Sequence, residues 1–330
     1  MVGTVLNWLK PSTALFGTKK SGLKKLFFTE DDDRLKYIDI TTEGHISCLA
    51  TYPKHQIAFF FDQNSENSKI FKYGPNEKIQ PLAVTSAFTD PLDNHLKSDK
   101  KGRFLLVATD LAQITVIVVV GSTRLKKLSD YKFDVKGKLR DFEVLESASG
   151  DSHLLIMTDL AEFRSSPLHP KSLAIHQKSF EISQNLWLST EEITSRTFAV
   201  SKNGKLVIFS TFDIINNYTS RLVLARIDKL GGLRKTSEFR FNQGEFDYSR
   251  VRELEGLCFE TFVGSVPVCL AFEKRQNNRV FMFGCAGDRL RLIRTVVHFH
   301  SGEVRRACLF NRGVWSLDSE GLLRAIKLKF

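Results

Sequence analysis

The sequence predicts an all-β chain folded as one seven-bladed β-propeller, and three observations predict it. Short apolar runs recur along the whole length, each closed by a carboxylate and a turn. Glu30, Asp62, Asp110, Asp159, Asp213, Glu273 and Asp318 mark the segments LKKLFFTE, HQIAFFFD, RFLLVATD, HLLIMTD, KLVIFSTFD, VPVCLAFE and GVWSLDSEG. The steps between successive carboxylates are 32, 48, 49, 54, 60 and 45 residues, the interval of one propeller blade. A second apolar run follows the turn in most repeats, while extended helical periodicity is missing, so the repeated unit is a β-hairpin.

In chain order, the middle strands are expected near 24–28, 57–61, 104–108, 154–158, 206–210, 266–272 and 313–317. The strands after the turn read RLKYIDI, SKIFKY, ITVIVVV, RLVLARI, RVFMFG and GLLRAIKL; those before it include HISCLATY, SRTFAVS, LEGLCFE and VRRACLF. A short carboxylate can accept hydrogen bonds from N–H groups two residues on and so close a tight turn. A residue repeated in every blade answers a need that every blade has, so turn closure is preferred to metal ligation or general-base chemistry. Six blades are the fallback, because the first step is short and the innermost strand of the first blade, around 12–16, is weakly marked.

On these segments the chain resembles the WD-repeat family, whose repeat carries an outer strand, a Gly-His dipeptide, three strands with a turn Asp, and a terminal Trp-Asp. Gly44-His45 stands 17 residues before Asp62, and His300-Ser301-Gly302 is a degenerate version before Asp318. The Trp-Asp signature is absent: the third strands end in Phe71-Lys72, Ile227-Asp228 and Ile326-Lys327. The resemblance spans nearly the whole chain as a pattern. It implies a ring closed by an N-terminal strand, Val2 to Leu9, lying in the last blade, which would cover two open strand edges at once.

The 330 residues, with 27 Phe against 6 Tyr and 3 Trp, suit a single domain, residues 1–330, of sheets stacked face to face. Charge is the second signal. Lys and Arg total 48 against 37 acids, a net +11, which favours an acidic partner such as RNA, DNA, anionic lipid or an acidic protein. Arg289 and Arg291 alternate with leucines in RLRLIR and project from one strand face; with Arg294, Arg305 and Arg306 they form the candidate partner or polyanion site. Arg305 and Arg306 begin a strand assigned to the same blade. The phenylalanines sit in core strands, and no sequence-specific nucleic-acid module is present.

Five cysteines without a CxxC pair fit buried thiols in a reducing compartment, not a disulfide framework. His298 and His300 form an HxH with no zinc spacing around it. Residues 1–29 contain no acid and five lysines, which resembles a mitochondrial presequence, but arginine is lacking and Pro11 interrupts any helix. The apolar run at 114–120 is far shorter than a membrane span of about 20 residues. No GxGxxG, GxxxxGK, GxSxG or HExxH occurs, and the glycines of GCAGDRLRL lie in a turn between strands. The expectation is therefore a non-catalytic propeller without a cofactor, a protein-interaction scaffold in an intracellular complex of nucleus or cytoplasm, with RNA association. The alternatives are a subunit that itself binds RNA in a processing or tRNA-modifying complex, and a metal-dependent propeller hydrolase of the lactonase or phytase kind.

Overall fold

The computed structural model describes residues 3–10, 13–18, 20–28, 35–40, 43–52, 57–62, 67–72, 81–85, 96–98, 105–108, 113–120, 124–135, 137–146, 152–159, 162–168, 180–181, 193–194, 197–201, 203–213, 219–227, 232–241, 254–261, 266–273, 279–297, 300, 302, 304–310, 313–318 and 322–327. The chain divides into two compact units, Met1–Lys132 with Ser319–Leu323 and Phe133–Asp318 with Arg324–Phe330.

The first unit holds three antiparallel sheets. One runs in the order β1 (Gly3–Lys10), β2 (Thr13–Thr18), β3 (Leu23–Phe28), β4 (Leu35–Asp39). The next runs β5 (Ile46–Tyr52), β6 (Ile57–Asp62), β7 (Asn67–Lys72), β8 (Pro81–Thr85). The third contains β9 (Leu96–Ser98), β10 (Leu105–Ala108), β11 (Gln113–Val120) and β12 (Arg124–Lys132).

The second unit holds four more. The first has β13 (Leu139–Glu146), β14 (Ser152–Thr158), β15 (Phe163–Leu168) and β16 (Phe180–Glu181). In the next, β17 (Ile193–Thr194) and β18 (Phe198–Val200) share one edge of β19 (Leu206–Asp213), followed by β20 (Thr219–Ile227) and β21 (Leu233–Arg240). A four-stranded sheet of β22 (Leu254–Thr261), β23 (Pro267–Glu273), β24 (Arg279–Ala286) and β25 (Arg289–Val297) comes next. The last sheet has three strands among the described residues, β26 (Val304–Phe310), β27 (Gly313–Asp318) and β28 (Leu323–Lys327).

Every expected middle-strand segment is a strand. One is misplaced within its sheet: the segment near 24–28 is β3, the third strand, and the second strand is β2. The register shows why. In repeat after repeat the second strand ends opposite a bulge in the first strand, pairing Ile46 with Asp62, Leu254 with Glu273 and Val304 with Asp318. In the first sheet that place is Thr18, paired with Gly3, and in the fourth it is Thr158, paired with Leu139. A threonine stands at the carboxylate's register position there, so the repeat begins 44 residues before Asp62 and the short first step disappears.

The expected closure is likewise corrected. The N-terminal strand β1 is hydrogen-bonded to β2, pairing Leu6 with Phe16 and Trp8 with Ala14; it is not a strand of the last sheet. Pairing with the adjacent segment closes a far smaller loop than pairing across the chain, and so costs less entropy. Gly3–Lys10, Thr13–Thr18 and Leu23–Phe28 are thus strands, with Leu15, Phe16, Leu23 and Leu26 buried.

Within the second unit, consecutive sheets bury their faces against one another. Leu155, Met157 and Phe163 pack on Phe198, Val207, Phe209 and Val223. Ile208, Leu222, Leu224 and Phe241 meet Cys269, Ala271, Phe281, Phe283 and Leu290, and the other face of that sheet, with Val280, Met282 and Val296, meets Val304, Ala307 and Val314. Edge-on rings bridge the middle interface, with centroids 5.0 Å apart for Phe239–Phe283 and 4.9 Å for Phe241–Phe281. Such pairs contribute about 0.5–1.5 kcal/mol beyond their buried area, so the phenylalanine bias of the sequence is spent between sheets.

Candidate functional site

The repeated acids come first, because seven carboxylates at strand ends could in principle form a reactive set. Among the described ones, each is occupied by a different structural partner. His300 Nδ1 lies 3.0 Å from Asp318 Oδ2, and His300 Nε2 lies 2.6 Å from Ser316 Oγ. The Nδ1–H donates to the carboxylate and the serine hydroxyl donates to Nε2, which requires a neutral ring. Burial lowers the His300 pKa below its ordinary value, and the Asp318 carboxylate, which works upward, does not outweigh it; Arg324 works downward as well. The side chains of His300 and Asp318 are 0% exposed. Ser, His and Asp in this order have the bonding of a nucleophilic triad, but buried this deeply the hydroxyl meets no substrate. The network instead ties the loop before the last sheet to its central hairpin.

Glu273 accepts a bidentate pair from Arg279, at 2.9 and 3.1 Å, across its hairpin. Asp159 Oδ1 accepts from the Lys138 backbone N–H at 2.9 Å. Thr18, at the equivalent register position, closes its own turn, accepting from the Ser21 N–H and donating to the Gly22 carbonyl, both at 2.8 Å. The described partners of these acids lie across the hairpin or on the preceding loop. Glu30 and Asp110 lie outside the described residues, as do the side chains of Asp62 and Asp213. Gly44 of the Gly-His dipeptide has φ 124°, a conformation that disfavours a side chain, and its carbonyl accepts from Gly22 N–H at 3.1 Å.

His300 is not on a strand, so the expected pair of imidazoles on one strand face does not form; His298 lies outside the described residues. Cys269 and Cys285 are buried free thiols, and desolvation pushes Cys285 up to about 12, which leaves no thiolate for chemistry. Among the described residues no three His, Cys, Asp or Glu side chains converge as a metal site would need, and no helix is long and apolar enough to cross a membrane.

The arginine row survives as a surface. Gly287 and Asp288 both adopt positive φ, 56° and 64°, making the tight two-residue hairpin that joins β24 to β25; Gly284 lies within β24 itself. Arg289 pairs with Ala286, Arg291 with Gly284 and Arg294 with Met282, and directly paired residues share a face. A bulge between Arg291 and Arg294 shifts the alternation by one residue, so all three arginines face the same side. Ile293, in that bulge, is 55% exposed and its side chain covers Gly284. Arg305 and Arg306 do not join them by sheet: they lie on β26, the first strand of the next sheet, and their side chains are outside the described residues. Sequence reasoning assigned both strands to one blade because it did not see that the loop around His300 separates two sheets. Ser316 and Arg279 were also missed; the signal for Ser316 was its place two residues before Asp318, on the same strand face.

No family model and no curated protein matches the sequence. Solved structures match along almost all of it. The Cps50 (Swd1) β-propeller domain from Myceliophthora thermophila superposes with a TM-score of 0.63 at 11% identity, covering 99% of this chain and 98% of that one. The structure of U3-55K gives 0.61 at 11% identity, over 96% and 88%. This chain has a WD-repeat-like β-propeller fold. A Bacteroides fragilis protein provisionally assigned as a 6-phosphogluconolactonase gives 0.65 at 14% identity, over 96% and 95%, so the fold alone does not separate a scaffold from an enzyme.

Proposed function

We propose that the chain closes into one seven-bladed ring and serves as a non-catalytic scaffold subunit of an intracellular multiprotein complex. The observation that carries the reading is the division of its charged groups. The described turn acids are held by structural partners, whereas Arg289 and Arg291 stand exposed on one face of an outer strand. A hydrolase needs unspent acids around a metal; a scaffold needs exposed, rigidly held recognition groups on a packed framework. The Cps50 domain and U3-55K lend support as propellers of the same size class, and a net charge of +11 suits acidic partners and RNA-containing assemblies.

Purification of the tagged chain from its native source, with identification of co-eluting proteins, tests this reading. Stoichiometric partner chains that persist through nuclease treatment are expected. A chain that elutes alone, or that hydrolyses sugar lactones or phosphate esters on addition of a divalent cation, would overturn it in favour of the hydrolase.

A further inference from the structure

The hairpin that joins β24 to β25 reaches across to the preceding sheet and meets a pair of arginines there. Arg226 on β20 pairs directly with Arg234 on β21, so the two side chains leave one face about 5 Å apart. Leu206, opposite Arg226 on its other side, is buried in the core shared with β22–β25, and the arginines face that sheet as well. Like charges set directly opposite each other cost stability. Asp288, at the hairpin tip with φ 64°, answers one of them by accepting from Arg226. The Leu290 N–H, donating to Ser237 Oγ at 3.1 Å, clamps the hairpin to β21 beside them. Arg234 is left over: it is exposed, and among the described residues no acid lies within ion-pair distance of it. The other cations of β21 differ. Lys235 and Arg240 both pair with Glu238, and Lys235, opposite Ala225, points to the other face.

We propose that Arg226 and Arg234 form a fork for a phosphate monoester, supplied by a phosphorylated serine or threonine of a partner protein, with Asp288 marking the anion position from within the chain. This rests on the scaffold reading and names the partner's chemistry. Guanidinium groups take phosphate in bidentate fashion, and arginine clusters bind phosphorylated motifs. A carboxylate brings a single charge, which Asp288 already supplies. A phosphoserine brings about −1.5 to −2 charges and three acceptor oxygens, enough to engage Arg234 together with the open side of Arg226, which is 57% exposed. A nucleic-acid diester carries less charge at each phosphate and gains affinity by repetition along the strand and by stacking bases on aromatic rings. Here the fork is a single point, and among the described residues of the second unit no aromatic ring stands exposed.

The probe is a short blocked peptide of glycine and alanine around one phosphoserine, titrated against the full chain beside its unphosphorylated form, a glutamate form and oligouridylate. Among the peptides, saturable binding of the phosphoserine form alone is expected. Arg234→Gln should weaken it roughly tenfold, the size of one hydrogen bond to a charged group, and should melt like the wild type because the side chain is exposed. Asp288→Asn should bind roughly threefold more tightly, since it removes an exposed competing charge while asparagine keeps the left-handed backbone. Arg289→Gln with Arg291→Gln, on the opposite face of the sheet, should leave binding unchanged. Absence of binding, equal binding of the glutamate or unphosphorylated peptide, or indifference to Arg234→Gln would overturn the proposal. So would unchanged or weaker binding by Asp288→Asn, or a loss on replacing Arg289 and Arg291 as large as that from Arg234. Tighter, Arg234-dependent binding of oligouridylate would overturn it too, assigning the fork to RNA. The titration needs no native partner, so its failure removes this site and leaves the scaffold reading; elution of the wild-type chain alone from its native source removes the scaffold reading instead.

Discussion

A buried carboxylate is stable only with a committed partner, and Asp318 has His300 for that purpose. His300→Ala removes the imidazole bonded to the buried Asp318 carboxyl, and a loss of about 1–3 kcal/mol is expected. Asp318→Asn keeps a hydrogen-bond acceptor for the ring and should cost less. Because burial holds the imidazole neutral, the unfolded chain binds that proton more readily than the folded one. Stability is then full above the ordinary histidine value of about 6.5 and is lost as pH falls below it, since the unfolded state takes up the proton first. Thermal melts of wild type and H300A between neutral and mildly acidic pH check both points: the wild-type melting temperature should fall on acidification, and the variant should start lower and lose less. A wild-type melt that rises with acidification would show His300 charged in the folded chain.

Strands were legible where the chain buries both faces of them. Segments such as VPVCLAFE and KLVIFSTFD are mostly apolar, and they became β23 and β19, where side chains face a neighbouring sheet on either side. Outer strands were harder to read: β21, LRKTSEFR, carries charge on a half-exposed surface and lacks an apolar run. The first repeat was read one strand late because Thr18 stands at the register position that Asp62 and Asp318 hold in later repeats, and no rule of composition equates them. His300 and Asp318 were legible singly as a degenerate dipeptide and a turn acid; that Ser316 completes their network depended on the register of β26 with β27. The pairing of β1 gives an element-scale prediction. Removing residues 1–10 strips the edge of β2 and opens a row of unpaired backbone groups beside Leu15 and Phe16, which favours edge-to-edge association. The truncated protein should melt earlier and aggregate, as light scattering would detect; unchanged stability and solubility would mean that β1 contributes nothing to the first sheet.

At the scale of the molecule, the excess of 48 basic over 37 acidic residues creates attraction for any polyanion, separate from whatever the arginine row recognises. A diffuse field binds RNA or DNA without regard to sequence, typically with a Kd on the order of 10⁻⁴–10⁻⁶ M at physiological salt, and binding weakens steeply as salt rises because each neutralised phosphate releases a counterion. Such binding is expected here, equally for RNAs of unrelated sequence, and measurable by filter retention at low ionic strength. Replacing Arg289, Arg291, Arg294, Arg305 and Arg306 with glutamine should flatten the salt dependence only in part and leave sequence preference unchanged, since phosphate contacts position a nucleic acid without specifying it. If instead the five glutamines remove RNA binding altogether, the positive field is concentrated in those arginines, and their surface is an RNA site in its own right.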